Sequence, residues 1–295
     1  MSGNRNNGKR KLQVRFAVCL LFLCLWGILS SCAGGAGSGA EPPVGTESGA
    51  EASAAAESGL YVWFFACSED ADSILLQTGG RNVMIDTGIE EDAAAMIEKL
   101  EALQVEEIDL LILTHPDKDH IGGASLLLDT FPVEEVIQTP YEKGSALQDE
   151  LDRKLERENV TVPDEKQELV FGKLLLTVYP PEEIYEDSNN CSIAVLAVYE
   201  DKKFFFAGDA KKKRIEELLD EELPQVDVYK AAHHGRDNGK SDDLVRMLRP
   251  SYAVVTAPEA EEKTKAALQE VGAEIYSTCK KDVHFTVVDG ILDVE

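Results

Sequence analysis

Beyond position 60 the apolar residues fall into short runs with two different periods. Residues 60–66, 73–77 and 82–85 are apolar or alternating stretches separated by Gly79-Gly80 and similar turn signals, which predicts a meander of strands. Over 92–103 the apolar positions recur at helical spacing behind an acidic start, which predicts a helix. Residues 108–113 are apolar without interruption, as in a strand covered on both faces. Further strands are predicted at 134–138, 168–179, 192–199 and 203–207, with Asp201-Lys202 as a hairpin turn, and at 226–231, 253–256 and 284–288. Helical spacing marks 145–157, 211–220, 241–249 and 260–271. Strands in both halves with helices between them predict one layered α/β domain over residues 60–295.

The first 59 residues have a different character. Arg5, Lys9, Arg10, Lys11 and Arg15 precede an uncharged, mostly apolar stretch of 14 residues at 16–29. That length suits a signal peptide and is short for a membrane span. The stretch ends in Leu29-Ser30-Ser31-Cys32, which resembles the lipobox of bacterial lipoproteins. The resemblance implies that 1–31 is removed and that Cys32 is lipidated, anchoring the protein to the membrane on its extracytoplasmic side. Residues 32–59 are nearly all Ala, Gly, Ser and Glu, with Pro42-Pro43, and hold too little apolar surface to offset the entropy of ordering. They are expected to form a flexible tether.

Composition narrows the functional classes. With 44% hydrophobic residues in a chain of 295, the protein is not wholly disordered. Fifty-five acidic side chains against 29 basic ones give a formal charge of −26, which argues against a broad nucleic-acid-gripping surface. Downstream of Cys32 only Cys67, Cys191 and Cys279 remain, without CxxC spacing, so a cysteine-based zinc site is not expected.

Histidine usage carries the chemistry. The chain has five His, and four of them sit in two clusters. The first is His115-Pro116-Asp117-Lys118-Asp119-His120, followed by Ile121-Gly122-Gly123, directly after the apolar run 108–113. The second is His233-His234-Gly235, directly after the run 226–231. Ala207-Gly208-Asp209 closes the strand predicted at 203–207. All three follow the carboxyl ends of strands, where α/β folds place ligands. In the pattern His-x-Asp-x-Asp-His, a loop can aim 115 and 117 at one cation and 119 and 120 at a second, with an Asp from another strand between them. Imidazole and carboxylate donors together suit Zn, Mn or Fe. A pair of such ions can activate water near neutral pH and clamp a phosphoryl or acyl oxygen.

Residues 60–295 resemble the metallo-β-lactamase superfamily, in particular its ComEC-like branch, the extracytoplasmic domain of bacterial DNA-uptake channel proteins. The matching segments, in order, are Ala71-Asp72-Ser73-Ile74-Leu75-Leu76, Met84-Ile85-Asp86-Thr87-Gly88, the His115–Gly123 loop, Asn189-Asn190-Cys191-Ser192, Ala207-Gly208-Asp209 and Ala232-His233-His234-Gly235. The resemblance implies an αββα sandwich, two mixed β-sheets flanked by helices, with a metal site at one edge. It implies a hydrolase with two divalent ions, Zn or Mn, acting on a phosphodiester substrate, either nucleic acid or a small phosphoester. Its ligands would be His115, Asp117, Asp119, His120, Asp209 and one of the two adjacent histidines, His234 by preference. Asp119 and His233 would serve catalysis, the latter as a substrate-facing acid or oxyanion stabiliser. Asp86 would brace the metal loop, and Asn190 or its neighbour Asn189 stands where the wider superfamily has a further His. This chain also departs from the branch in carrying Arg236 where Ser is usual and Ala257-Pro258-Glu259 in place of a Gly-His-Pro-like segment. Two other readings are hydrolysis of a lactone or β-lactam on the same ions, and a non-catalytic binding lipoprotein of the same fold.

Overall fold

The computed structural model describes residues 59–295. The proposed signal segment, Cys32 and the tether up to residue 58 lie outside the described residues. The chain first builds a sheet of antiparallel strands β1 (Leu60–Phe64), β2 (Ser73–Thr78) and β3 (Arg81–Thr87). Parallel strands β4 (Leu110–Leu113), β5 (Val136–Gln138) and β6 (Val160–Thr161) extend it on one side. A second sheet starts with antiparallel β7 (Gln167–Phe171), β8 (Leu174–Tyr179), β9 (Ala194–Tyr199) and β10 (Lys202–Phe206). Parallel β11 (Val228–Lys230), β12 (Tyr252–Val255) and β13 (Glu274–Ser277) complete it. The chain then returns to the first sheet, where β14 (Val283–Val288) and β15 (Ile291–Val294) add to the free edge of β1.

The inward faces of the two sheets share one core that includes Phe64, Ile85, Ile112, Val195, Phe204, Phe206 and Phe285, all buried. Burying side chains of this size contributes about 1.5–3 kcal/mol each. On the outer face of the first sheet lie α1 (Ala93–Ala102), the single turn α2 (Lys118–Ile121), α3 (Ala124–Thr130) and α4 (Ala146–Leu155). On the outer face of the second lie α5 (Lys212–Asp220), α6 (Ser241–Leu248) and α7 (Glu262–Val271). The layers therefore run helix, sheet, sheet, helix, as expected from sequence.

Two local expectations are corrected. Residues 168–179 are not one strand but the hairpin β7–β8, turned at Gly172-Lys173 with Gly172 at φ 60°. The β9–β10 turn is Glu200-Asp201 rather than Asp201-Lys202, with Glu200 in the left-handed region. The apolar pattern also missed β13 and β15, sheet-edge strands whose side chains are mostly half-exposed. Partly solvated strands of four residues leave only a short alternating signature.

The carboxyl ends of β3, β4, β10, β11 and β12 come together along one edge of the sandwich. Ile193 N–H donates to the Thr114 carbonyl at 2.9 Å, and His233 N–H to the Gly208 carbonyl at 3.1 Å. Gly122 and Gly123 allow the metal-loop segment to lie against the chain after β3. A Cβ on Gly122 would sit 2.4 Å from Glu90 N, and one on Gly123 2.5 Å from the Thr87 carbonyl.

Candidate metal centre

Three buried histidines point the same ring edge at one place, and each is oriented from behind. His120 Nδ1 lies 2.7 Å from Asp86 Oδ2, so it donates there and its Nε2 carries the lone pair. Thr114 Oγ1 donates to Asp86 Oδ2 at 2.7 Å and accepts from His115 Nδ1 at 3.1 Å. Thr256 Oγ1 donates to Asp72 Oδ1 at 2.7 Å and accepts from His234 Nδ1 at 2.8 Å. A hydroxyl whose single proton is committed to a carboxylate can only accept from an imidazole. In the neutral rings all three Nε2 atoms thus bear lone pairs, open to a proton or a cation.

Those lone pairs face carboxylates rather than donors. His120 Nε2 is 3.2 Å from Asp209 Oδ1, and His234 Nε2 is 3.2 Å from both Asp209 Oδ2 and Asp119 Oδ2. His120 Nε2 to Asp119 Oδ2 is 3.9 Å. A tetrahedral ion with bonds of about 2.1 Å has ligand–ligand edges of about 3.4 Å, so these four donors fit a single divalent cation. The Nε2 atoms of His115 and His120 and Oδ1 of Asp209 are buried without a hydrogen-bond partner, as expected of atoms made to coordinate rather than to hydrogen-bond. Imidazole and carboxylate without thiolate suits Zn, Mn or Fe.

A second position lies beside the first. His115 Nε2 lies 3.9 Å from Asp209 Oδ2, which makes Asp209 the residue shared by both positions. Asp117 stands on this side, but its Oδ1 accepts from Lys143 Nζ at 2.8 Å and from Ser188 Oγ at 2.7 Å. Asn189 Nδ2 donates to Asp209 Oδ2 at 3.4 Å, so Asn189 faces the centre. Asn190 is turned away instead, its Oδ1 accepting from the Lys213 and Arg214 N–H groups in the first turn of α5.

Backbone strain places the last pair. His233 and His234 both adopt left-handed conformations, with φ of 50° and 57°, and Gly235 follows at φ 92°. Consecutive left-handed non-glycine residues are costly and persist where the surroundings impose them, frequently at functional sites. His234 reaches the four-donor position. His233 Nε2 lies 3.8 Å from Asp209 Oδ2, beside the second position, and its Nδ1 is 2.8 Å from Asn238 Oδ1.

Charge explains the proton affinities. Burial lowers the pKa of His234, but the carboxylates of Asp209, Asp119 and Asp72 more than offset this and hold it at about 10. His120 is likewise raised well above its ordinary value, against burial, by Asp209 and Asp86. His115 is pushed down to about 3 by burial and by the neighbouring His120. Asp209 is held well below the usual carboxylate range despite its burial, because His120 and His234 face it. A pocket that draws protons onto imidazoles in this way is one in need of positive charge.

The sequence pattern did not single out Asp72 as a site residue, nor Thr114, Thr256 or Lys230. Asp72, His120, Asp209 and His234 present donor atoms within 4.8 Å of one another. Asp72 nevertheless sits on the Nδ1 side, 3.3 Å from His234 Nδ1 and 3.8 Å from His120 Nδ1, with one oxygen on Thr256 and the other on the Lys230 ammonium. It orients the ligands and does not face the cation position. Lys230 is buried and also donates to the Gly208 carbonyl at 3.1 Å. A lone Lys inside the apolar run 226–231 is the sequence signal that could have found it.

Comparison with known proteins agrees with this geometry. The family model for the metallo-beta-lactamase superfamily matches residues 69–257, more than half of the chain. Recombination protein 2 of Haemophilus influenzae is 30% identical over 189 residues, covering 62% of this chain and 22% of that protein. ComE operon protein 3 of Bacillus subtilis is 28% identical over 170 residues, covering 55% and 21%. The chain thus spans about a fifth of the length of these curated relatives. Among solved structures, the metallo-beta-lactamase fold protein YhfI of Bacillus subtilis superposes with a TM-score of 0.53 at 13% identity, covering 80% of this chain and all of that one. Tm1679, a metal-dependent hydrolase of the beta-lactamase superfamily, gives 0.51 at 12% identity, covering 74% and 95%.

Proposed function

Because the chain belongs to the metallo-β-lactamase superfamily and turns three imidazole lone pairs towards two carboxylates at one sheet edge, we propose that it is a metal-dependent hydrolase of phosphodiester bonds. The observation that carries this reading is the partnerless buried set of His115 Nε2, His120 Nε2 and Asp209 Oδ1, with His234 and Asp119 completing a cation site. Divalent ions bound there, Zn or Mn, supply Lewis-acid polarisation of a phosphoryl oxygen and acidify water. The chain supplies the rest. Asp209 spans both ion positions, Asp119 presents a carboxylate from the half-open side, and Asp86, Thr114, Thr256 and Asp72 keep the imidazoles in the ligating tautomer.

Two features support a phosphodiester over a neutral carbonyl substrate. Cationic side chains flank the centre at Arg236 and Lys143, and one of the relatives is named for recombination. The chain's net charge of −26 favours a short nucleic-acid strand or a small phosphoester over a long polyanion. The reading includes an enzyme tethered through Cys32 on the extracytoplasmic side of the membrane, which mass analysis of the N-terminal residue of the purified protein would test. The functional test is hydrolysis of single-stranded DNA and of a bis-aryl phosphodiester by Mn- and Zn-loaded protein, alongside Asp209→Ala. Activity lost in the variant is expected. No hydrolysis of either substrate with either metal, or activity that survives Asp209→Ala, overturns the reading.

A further inference from the structure

His233 stands where a donor to the developing negative charge is expected, yet its hydrogen bonds give it the opposite character. Asn238 Nδ2 donates to the Arg236 carbonyl at 3.2 Å, which fixes the orientation of that amide. Asn238 Oδ1 therefore faces His233 Nδ1 at 2.8 Å, so Nδ1 carries the hydrogen and Nε2 the lone pair. Arg236 Nη1 donates to this Nε2 at 3.2 Å, and Arg236 Nη2 reaches Asp70 Oδ2 at 3.1 Å. His233 Nε2 has no hydrogen to give a substrate oxygen. The donor at this place is the guanidinium it holds.

The remaining cations of this region are committed elsewhere. Lys118 pairs with Glu69, Lys211 with Asp187, Lys212 with Glu216 and Lys240 with Asp243, while Lys213 lies over the Tyr185 ring at 4.9 Å. Lys143 is held by Asp117 on the other flank. Arg236 is partly exposed, and its partner Asp70 sits on the β1–β2 loop across the mouth. A guanidinium binds carboxylate and phosphate oxygens alike, so the Asp70 oxygen that accepts from Nη2 marks the place of an anionic oxygen.

From this geometry we infer that Arg236 is the substrate-anion grip of the centre. It exchanges the Asp70 carboxylate for an anionic non-bridging oxygen of a phosphodiester, and His233 is the positioning residue that aims it. This rests on the phosphodiesterase reading and assigns that oxygen of the substrate to Arg236.

The test is calorimetric titration of inorganic phosphate into the metal-loaded protein and into Arg236→Gln, Arg236→Lys and Asp70→Asn. Loss of a charged hydrogen bond predicts phosphate binding about ten- to a hundredfold weaker in Arg236→Gln. A smaller loss is expected in Arg236→Lys and tighter binding in Asp70→Asn, with metal content unchanged in all three. In Arg236→Gln the KM for a bis-aryl diester should rise more than kcat falls. Equal phosphate affinity in parent and Arg236→Gln, or no phosphate binding by the parent, overturns the inference. A parent that binds phosphate through Arg236 but hydrolyses no diester overturns the hydrolase reading and leaves the anion site standing.

Discussion

Asp86 Oδ2 lies 2.7 Å from His120 Nδ1, and Asp86 makes that bond from a left-handed backbone, φ 57°, at the end of a strand. Its other oxygen accepts from the Thr114 N–H at 2.8 Å. One carboxylate thus ties β3 to the segment leaving β4 and sets the tautomer of a ligand that neither strand carries. The strain is held by a fully buried surround, and what it secures is the direction of a lone pair.

Asp86→Asn should therefore act on metal affinity more than on the fold. The amide has nearly the same shape, but its nitrogen would compete for the side facing Nδ1 and favour the wrong tautomer of His120. Affinity for Zn or Mn should fall about ten- to a hundredfold, as for other residues that orient metal ligands. Competition against a chromophoric chelator measures it. An unchanged affinity would mean that Asp86 is only a structural brace.

Lys230 is buried against Asp72, so Lys230→Met should strand an uncompensated carboxylate. Breaking a buried pair from one side costs about 3–5 kcal/mol. The loss should be larger with chelator present than with metal, because a bound cation restores positive charge near Asp72 and Asp209. The double variant Lys230→Met/Asp72→Leu should recover part of the stability. Thermal unfolding of the parent and the two variants, each with metal and with chelator, reads all three statements.

How much of this was legible in sequence follows from where each residue sits. His115, His120, Asp209 and the His233-His234 pair follow predicted strands directly, so their placement at one sheet edge comes from topology. Asp72 and Thr256 each contribute one side chain from the end of a distant strand, and nothing local distinguishes them from other polar residues at strand ends. The choice between Asn189 and Asn190 depends on which amide caps α5, a matter of one residue's rotation about the chain. The lone pair on His233 depends on how Asn238 is turned by the Arg236 carbonyl. Pattern shows which groups gather, but hydrogen-bond direction shows what they can do.

The metal-free protein should have a stability maximum in mildly acidic solution. His234, raised from 6.5 to about 10 by Asp209, Asp119 and Asp72 against burial, favours the folded state fully below pH 6.5, and this contribution disappears as pH rises through 10. Asp119, lowered from 3.8 to about 2 by His234 and His120 against burial, contributes above pH 3.8 and loses its share as pH falls through 2. His115, held down at about 3 by burial and by His120, binds a proton more readily when unfolded and so takes stability away as pH falls below 6.5, which places the maximum near pH 6.5. A bound cation replaces the His234 proton, so metal-loaded protein should keep its stability into alkaline solution and metal affinity should strengthen with pH. Melting temperatures from pH 4 to 10, with chelator and with metal, check this, and parallel curves would contradict it.

The two ion positions should fill unequally. His120, His234, Asp119 and Asp209 surround the first with donor separations of 3.2–3.9 Å, and the Lys230 ammonium, bonded to Asp72, stays 3.7 Å from Asp209 Oδ1. The second relies on His115 and on Asp117, and an ion there must draw Asp117 away from Lys143 and Ser188. Two stepwise equivalents are therefore expected in a calorimetric titration of Mn or Zn, the second weaker by about tenfold or more if the charged Lys143–Asp117 bond is worth ~1.5 kcal/mol. Lys143→Met should strengthen the second step and leave the first unchanged. Asp117→Asn should abolish the second step only, since the first position does not use that carboxylate. Two equal steps in the parent, indifferent to Lys143→Met, would show that Asp117 is free to coordinate and that the Lys143 ammonium does not guard it.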